Sequence, residues 1–519
     1  MMGNSLRTVL FPADRIAIWS ESFLRRVERP SLYAAPILMW LPVWLGLTPA
    51  SSLLVFVAVG CLAWLLWRAE PIETRQMWAG VFALALCVRL VVVTLAIYVG
   101  AQNGLTQLGP DGQMYFSRSL KMAAEPWAWP STVGFDTADV GHYFLFSAAL
   151  RAFHSNLFGL RLLNAAIDAL AAGCAFGIWT MVVPRWAALA GLLTALYTPL
   201  IYDATFDLWK DPSAMCALVF AVWAVLRASR ATGARDLVLQ SLVAGLALAY
   251  TYCTRMYWAF YLEVAAVFTL ALIATTGVEW RRYRKPLVAG AVMVALCELG
   301  PHVLGWPYSI QAFRATLTHV TTTEQMTARP TGSMDVLGGR GAEARGRAGV
   351  SGHGAEAGGR GAEVARLARG ATGDTVRLAL TLFRKIWGPY VWVRPKVFTV
   401  REILRGGFMM FPGILVWYIL LPSIVSGLAV TIVGALRGRA TSWVLVWLAI
   451  YLVICLAQYL VLAQSFRQRD GLFPFLVLFA FLGWSWGHSR RWWRPFHYAY
   501  ALGLLAVAGA HIASGNAVF

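Results

Sequence analysis

Apolar runs of roughly 20 residues recur along this chain, the length a helix needs to cross a hydrocarbon core about 30 Å thick. They fall near 31–48, 51–67, 77–100, 157–183, 187–202, 212–227, 237–253, 256–275, 286–304, 408–436, 441–463, 472–487 and 498–514. The runs are continuous rather than alternating, which argues against an outer-membrane barrel, whose strands alternate apolar and polar residues over about ten positions. The expectation is an all-α polytopic membrane protein with about 11–13 transmembrane helices.

Composition agrees: 59% of the 519 residues are hydrophobic and 13% are charged. The net charge of +19 invites a nucleic-acid partner, but the basic residues are spread through the connections between runs. Arg25, Arg26 and Arg29, then Arg227, Arg230 and Arg235, Arg281 to Lys285, Arg437 and Arg439, and Arg490 to Arg494 all fall on one side when crossings are counted. That is the positive-inside pattern, so no nucleic acid is implied and this side is read as cytoplasmic. The seven cysteines lie in or beside apolar runs without C-x-x-C spacing, and so propose neither a zinc site nor a disulfide framework.

Four regions follow. Residues 1–30 read as a cytoplasmic amphipathic N-terminus, with Ile16, Ile18, Trp19, Phe23 and Leu24 suited to lying on the membrane face. Residues 31–304 form an N-terminal transmembrane module carrying an outer loop at 101–156, and residues 408–519 form a C-terminal one. Between them lies a long extracytoplasmic segment, 305–407. Its Gly/Ala/Arg-rich insert at 338–373 has too little apolar surface to offset its chain entropy, so disorder is expected there.

The chemically useful residues collect in the outer connections. Asp111 stands in LGPDGQMYF, among Gly109, Pro110 and Gly112, which turn the backbone, so a loop carboxylate at the membrane surface is expected. YDATFDLWKDP at 202–212 gathers Asp203, Asp207, Lys210 and Asp211. Pro212 suits the first turn of the next helix, with Asp211 as its N-cap. Arg255 interrupts a long apolar run, where a lone charge is costly, so it needs an anionic partner: an outer-loop aspartate or the phosphate of a lipid. Arg467 and Arg469 precede the late run beginning near Pro474, and guanidiniums at an interface suit a lipid phosphate. His142 and Tyr143 open a short amphipathic segment, too short to span, that would lie in the outer interface.

One acid and several cations on one face suit transfer from a phosphate-linked lipid. The carboxylate would take the proton of an acceptor hydroxyl while Arg or Lys steadies the departing phosphate. No cofactor is required for that chemistry; a divalent ion at Asp111 with a second acid is the variant left open.

These motifs resemble the lipid-phosphosugar-dependent glycosyltransferases of the C-type (GT-C) membrane fold, which include protein O-mannosyltransferases and the aminoarabinose transferase of lipid A. The matching features are Asp-x-x-x-Tyr as Asp111 and Tyr115, the following interfacial segment, RLLNAAIDALAAG at 161–173, WKDP at 209–212 and RQRDGLFPF at 467–475. They cover roughly 105–300 well and the late runs loosely. The resemblance implies a GT-C-like bundle with Asp111 as catalytic base; together with the placement of the outer connections, substrate contacts are expected from Tyr115, His142, Asp207, Lys210, Asp211, Arg255, Arg467 and Arg469. It also implies a polyprenyl-phosphate-linked sugar donor, a glycan, lipid or protein acceptor, the lipid bilayer as setting, and an outward-facing site in a bacterial inner membrane. The chain departs from many relatives in having Gly112 where a second acid often stands, and Gly141-His142-Tyr143 where a Pro-Pro entry is common.

Two alternatives belong to other classes. An outer-face polysaccharide polymerase or ligase would share the architecture but favour paired Arg-rich loops. A lipid or solute transporter would show internal repeats and charges near mid-membrane, where the sequence offers only Arg89 and Glu298 as clear cases.

Overall fold

The computed structural model describes residues 13–102, 108, 110–124, 139–154, 156–196, 208–276, 284–303, 407–438, 442–462, 471–488 and 490–514. Among these residues there are helices and no strand. They are α1 (Ala13–Trp44), α2 (Leu54–Ala69), α3 (Ile72–Gln102), α4 (Pro110–Ala124), α5 (Val140–Phe153), α6 (Leu157–Val182) and α7 (Ala187–Leu196). Then follow α8 (Asp211–Arg230), α9 (Ala234–Thr254), α10 (Met256–Thr275), α11 (Arg284–Val303), α12 (Gly407–Leu436), α13 (Trp443–Leu462), α14 (Phe473–His488) and α15 (Trp493–Ser514). Seven helices among the described residues are long and apolar enough to cross a membrane, fewer than the 11–13 read from sequence, and three further apolar helices are shorter. The chain is an all-α polytopic membrane protein.

Burial separates centre from periphery. In α6 and α8, 78% of the membrane-length window is buried inside the protein, against 33% in α2 and α10, which turn most of their apolar surface to lipid. α6 packs against α3 and α8, and α8 against α9. Small residues allow it: the NAAIDALAAG stretch of α6 lets neighbouring helices approach closely, as is usual where lipid supplies no hydrophobic drive. Asn156 starts α6 by accepting the Gly159 N–H at 2.9 Å, while its amide donates to the Leu47 carbonyl at 3.1 Å, so one cap also fixes the end of α1.

Arg230, in the last turn of α8, donates to the Met181 carbonyl near the end of α6, and Lys285, in the first turn of α11, donates to that of Ala231, so these helix ends meet. At the opposite end lie the start of α8, the α9/α10 junction, α4 and α5.

Two expectations change in detail. The N-terminal segment is not a separate surface helix: α1 runs unbroken across the 30/31 boundary with Pro30, Pro36 and Pro42 inside it, which membrane helices tolerate when neighbours satisfy the freed carbonyls. Of the run at 187–202, α7 accounts for Ala187–Leu196, and the remainder lies outside the described residues. And Arg89 and Glu298 are not the only charges within spans. Among the described side chains, Asp168 in α6 and Glu263 in α10 are buried within their spans, each a single carboxylate that leaves the hydropathy of its helix high.

Candidate functional site

Asp111 lies not in a loop but in the first turn of α4. Pro110 begins the helix, where its fixed φ is already helical and its missing N–H costs nothing, and an acid in the first turn suits the positive helix end. Tyr115 is one turn on, so the two side chains share a face. Tyr115 is buried, its ring edge-on to His142 at 5.1 Å and 5.9 Å from Tyr143, both on α5. Arg118 completes the α4/α5 contact, donating to the Tyr143 hydroxyl at 3.1 Å.

The cations sit opposite. α8 begins at Asp211, with Lys210 in the N-cap position and Pro212 in the first turn. Asp211 is thus not the cap expected from sequence. Its buried carboxylate accepts instead from Arg255, whose Nε lies 2.9 Å from Oδ1 and whose Nη2 contacts the same oxygen. A desolvated guanidinium is a stronger claim on a carboxylate than a backbone N–H. Arg255 occupies the one non-helical position between α9 and α10, with φ −142° and ψ 72°, and that break places it at this end of the bundle. Its guanidinium lies over Trp258, 5.6 Å from the ring centroid. Lys210 pairs with Asp139, at the N-terminus of α5.

Two side chains fix the approach to this pair. His142 Nε2 lies 2.7 Å from the Leu208 carbonyl, and Asn164 Nδ2 donates to that of Trp209 at 3.1 Å. Consecutive carbonyls are therefore held from α5 and α6, immediately before Lys210 and Asp211. Gly141 makes the α5 position feasible. A Cβ there would stand 2.6 Å from Thr254 Oγ1 and 3.2 Å from Cys253 Cβ, so α5 seats directly on the end of α9 beside Arg255. From the late helices, Gly471 packs on the Trp258 ring so closely that no side chain fits.

Electrostatics describe one neighbourhood. Burial pushes the Tyr115 hydroxyl well above its ordinary range; nearby Arg255 opposes the shift, while Asp211, Asp111 and Tyr143 reinforce it. Burial drives His142 down to about 4, against the Leu208 carbonyl and the Asp211 charge, so the imidazole is neutral at pH 7. A neutral ring facing a carbonyl must donate from Nε2, which leaves Nδ1 as an acceptor.

The structure thus brings together Asp111, Tyr115, His142, Lys210, Asp211 and Arg255. Asp207, Arg467 and Arg469 lie outside the described residues, as does the 338–373 insert. Sequence reading passed over Arg118, Asp139, Asn164 and Trp258; of these Asn164, a lone amide in an alanine-rich helix, carried the best signal. Among the described residues no group of three or more His, Cys, Asp or Glu is placed to hold a metal ion.

No protein-family model matches this chain, and no curated protein matches it. Among solved structures it is similar to the archaeal oligosaccharyltransferase AglB from Archaeoglobus fulgidus, in complex with an inhibitory peptide and a dolichol-phosphate. The alignment covers 86% of this chain and 57% of that one, at 16% identity and a TM-score of 0.47. This chain thus spans little more than half the length of that protein, and a likeness at this level carries no argument about chemistry.

Proposed function

We propose that this protein is an inverting glycosyltransferase with a GT-C-like bundle, moving a sugar from a polyprenyl-phosphate donor to a hydroxyl on the extracytoplasmic face. The observation that carries this reading is the gathering of one helix-borne carboxylate, Asp111, and two anchored cations, Arg255 and Lys210, around Tyr115 and α5 at one end of a membrane bundle. Asp111 accepts the acceptor's hydroxyl proton as that oxygen bonds to the anomeric carbon. The bond from that carbon to the phosphate oxygen breaks, and its electron pair leaves with the polyprenyl phosphate. A single displacement inverts the anomeric centre. Arg255 and Lys210 stabilise the leaving phosphate, their directions set by Asp211 and Asp139 so that little reorganisation accompanies the reaction. Acceptor classes consistent with the chemistry are glycan, lipid or protein hydroxyls. A bacterial inner membrane is the proposed location.

A transporter reading would recruit the charges within the bundle, but the Arg89 guanidinium is consumed by structure. It donates to Asp168 and to the carbonyls of Ala85, Thr194 and Ala195. No observation favours the polymerase or ligase reading over simple transfer.

Binding of undecaprenyl phosphate to the purified protein tests the site. Arg255→Ala should weaken it by roughly 10-fold or more, the range of a charge-assisted hydrogen bond. Lys210→Ala should weaken it less, because an ammonium meets a phosphate as a point charge where the guanidinium offers a two-pronged fork. Equal affinity in both variants and the wild type would remove the phosphate assignment.

A further inference from the structure

At the basic end of the bundle, the turn between α14 and α15 carries Arg490 and Arg491, both exposed, with Arg494 in the first turn of α15. Beside these cations Trp492 and Phe496 are 55% and 48% exposed, although both are large and apolar. The surface is built rather than frayed. Trp493 points inward, buried against Trp486 with centroids 6.1 Å apart, and the Arg490 guanidinium lies 4.2 Å from the Trp486 ring centroid, a cation–π distance. A second stretch of chain joins it. Trp186 Nε1 donates to Ser485 Oγ at 2.9 Å, and Arg185 lies over that indole at 5.6 Å. No Asp or Glu follows Asp470 in the sequence, so this hairpin supplies cations and no acid.

We propose that this face is a docking surface for the headgroups of anionic phospholipids. Arginine forks match a phosphodiester bidentately, and exposed indole and phenyl rings at the membrane–water boundary pack beside the glycerol and upper acyl chain. A soluble anion would use the guanidiniums but leave Trp492 and Phe496 without an apolar partner. The location agrees, because the turn joins two apolar helices at their membrane ends. This surface is separate from the proposed transfer site, at the other end of α14, and does not depend on it.

The full-length protein is reconstituted in phosphatidylcholine bilayers with and without phosphatidylglycerol, and two quantities are read: thermal midpoint, and phosphatidylglycerol retained on release into the gas phase. Phosphatidylglycerol should raise the midpoint and remain bound, both effects fading at high salt. Arg490→Gln with Arg491→Gln should lower its affinity roughly 30-fold, at about 1 kcal/mol per arginine near an anionic surface. Trp492→Ala should lower it less. Arg185→Gln, far in sequence, gives an independent variant should the double one fold poorly. Retention unchanged in both the double variant and Arg185→Gln overturns the proposal. Inorganic phosphate stabilising the protein as well as phosphatidylglycerol does would assign the surface to a soluble anion, and would overturn it equally.

Discussion

Arg89 and Asp168 form an ion pair of 2.5 Å inside the bundle, with both side chains almost wholly shielded. The pair joins α3 to α6, and Arg89 also donates to the Thr194 and Ala195 carbonyls of α7. A costly buried charge is thereby explained by structure. Arg89→Met strands the Asp168 carboxylate and should cost about 3–5 kcal/mol, whereas Arg89→Met with Asp168→Leu should recover part of that loss. Thermal midpoints in detergent measure both; equal stability in the single and double variants would show that the pair is not coupled.

Asp111→Asn keeps size and hydrogen bonding but removes the base. Turnover should fall by ~10²-fold or more with the protein folded and donor binding retained. An Asn variant that turns over at the wild-type rate would reduce Asp111 to the first-turn acid of α4.

His142 and Leu208 offer a test of how the Lys210–Asp211 approach is held. His142→Gln places an amide N–H near Nε2 and should retain most function, while His142→Leu strands the Leu208 carbonyl and should cost about 1–3 kcal/mol. Because burial lowers the His142 pKa to about 4 in the folded protein, the unfolded chain binds a proton that the folded one refuses between its ordinary value near 6.5 and 4. Stability should therefore drop as pH falls through that window, by on the order of 3 kcal/mol at most. His142→Gln should flatten the drop, and identical pH profiles for the two proteins would argue against it.

Gly141→Val should separate α5 from the end of α9, since even a Cβ meets Thr254 at 2.6 Å. Overpacking of that kind costs about 1–3 kcal/mol. The Tyr115–His142 contact should loosen with it, which reduced donor affinity would report.

The long apolar runs were legible because crossing length and hydropathy are local properties. The run read as 157–183 is Leu157–Val182, and that read as 256–275 is Met256–Thr275. Partners distant in sequence were not. That Arg255 needs an anion follows from its depth, but the choice of Asp211 depends on α8 and α9 packing side by side. Asp168 was hidden for a similar reason, as one carboxylate among alanines whose partner lies on another helix. Asp111 was placed in a loop because Gly and Pro read as breakers, yet a proline at the first helical position starts a helix as readily as one further in stops it.

The seat of Gly471 on Trp258 has a consequence for biogenesis. Asp111, Lys210 and Arg255 are all synthesised and can enter the membrane well before Gly471 leaves the ribosome. A nascent chain halted ahead of α14 would carry every proposed catalytic group yet leave the ring beneath Arg255 uncovered. The ring beneath Arg255 is covered only by a segment made some two hundred residues later, so this part of the site is assembled after its charged groups are already in the membrane.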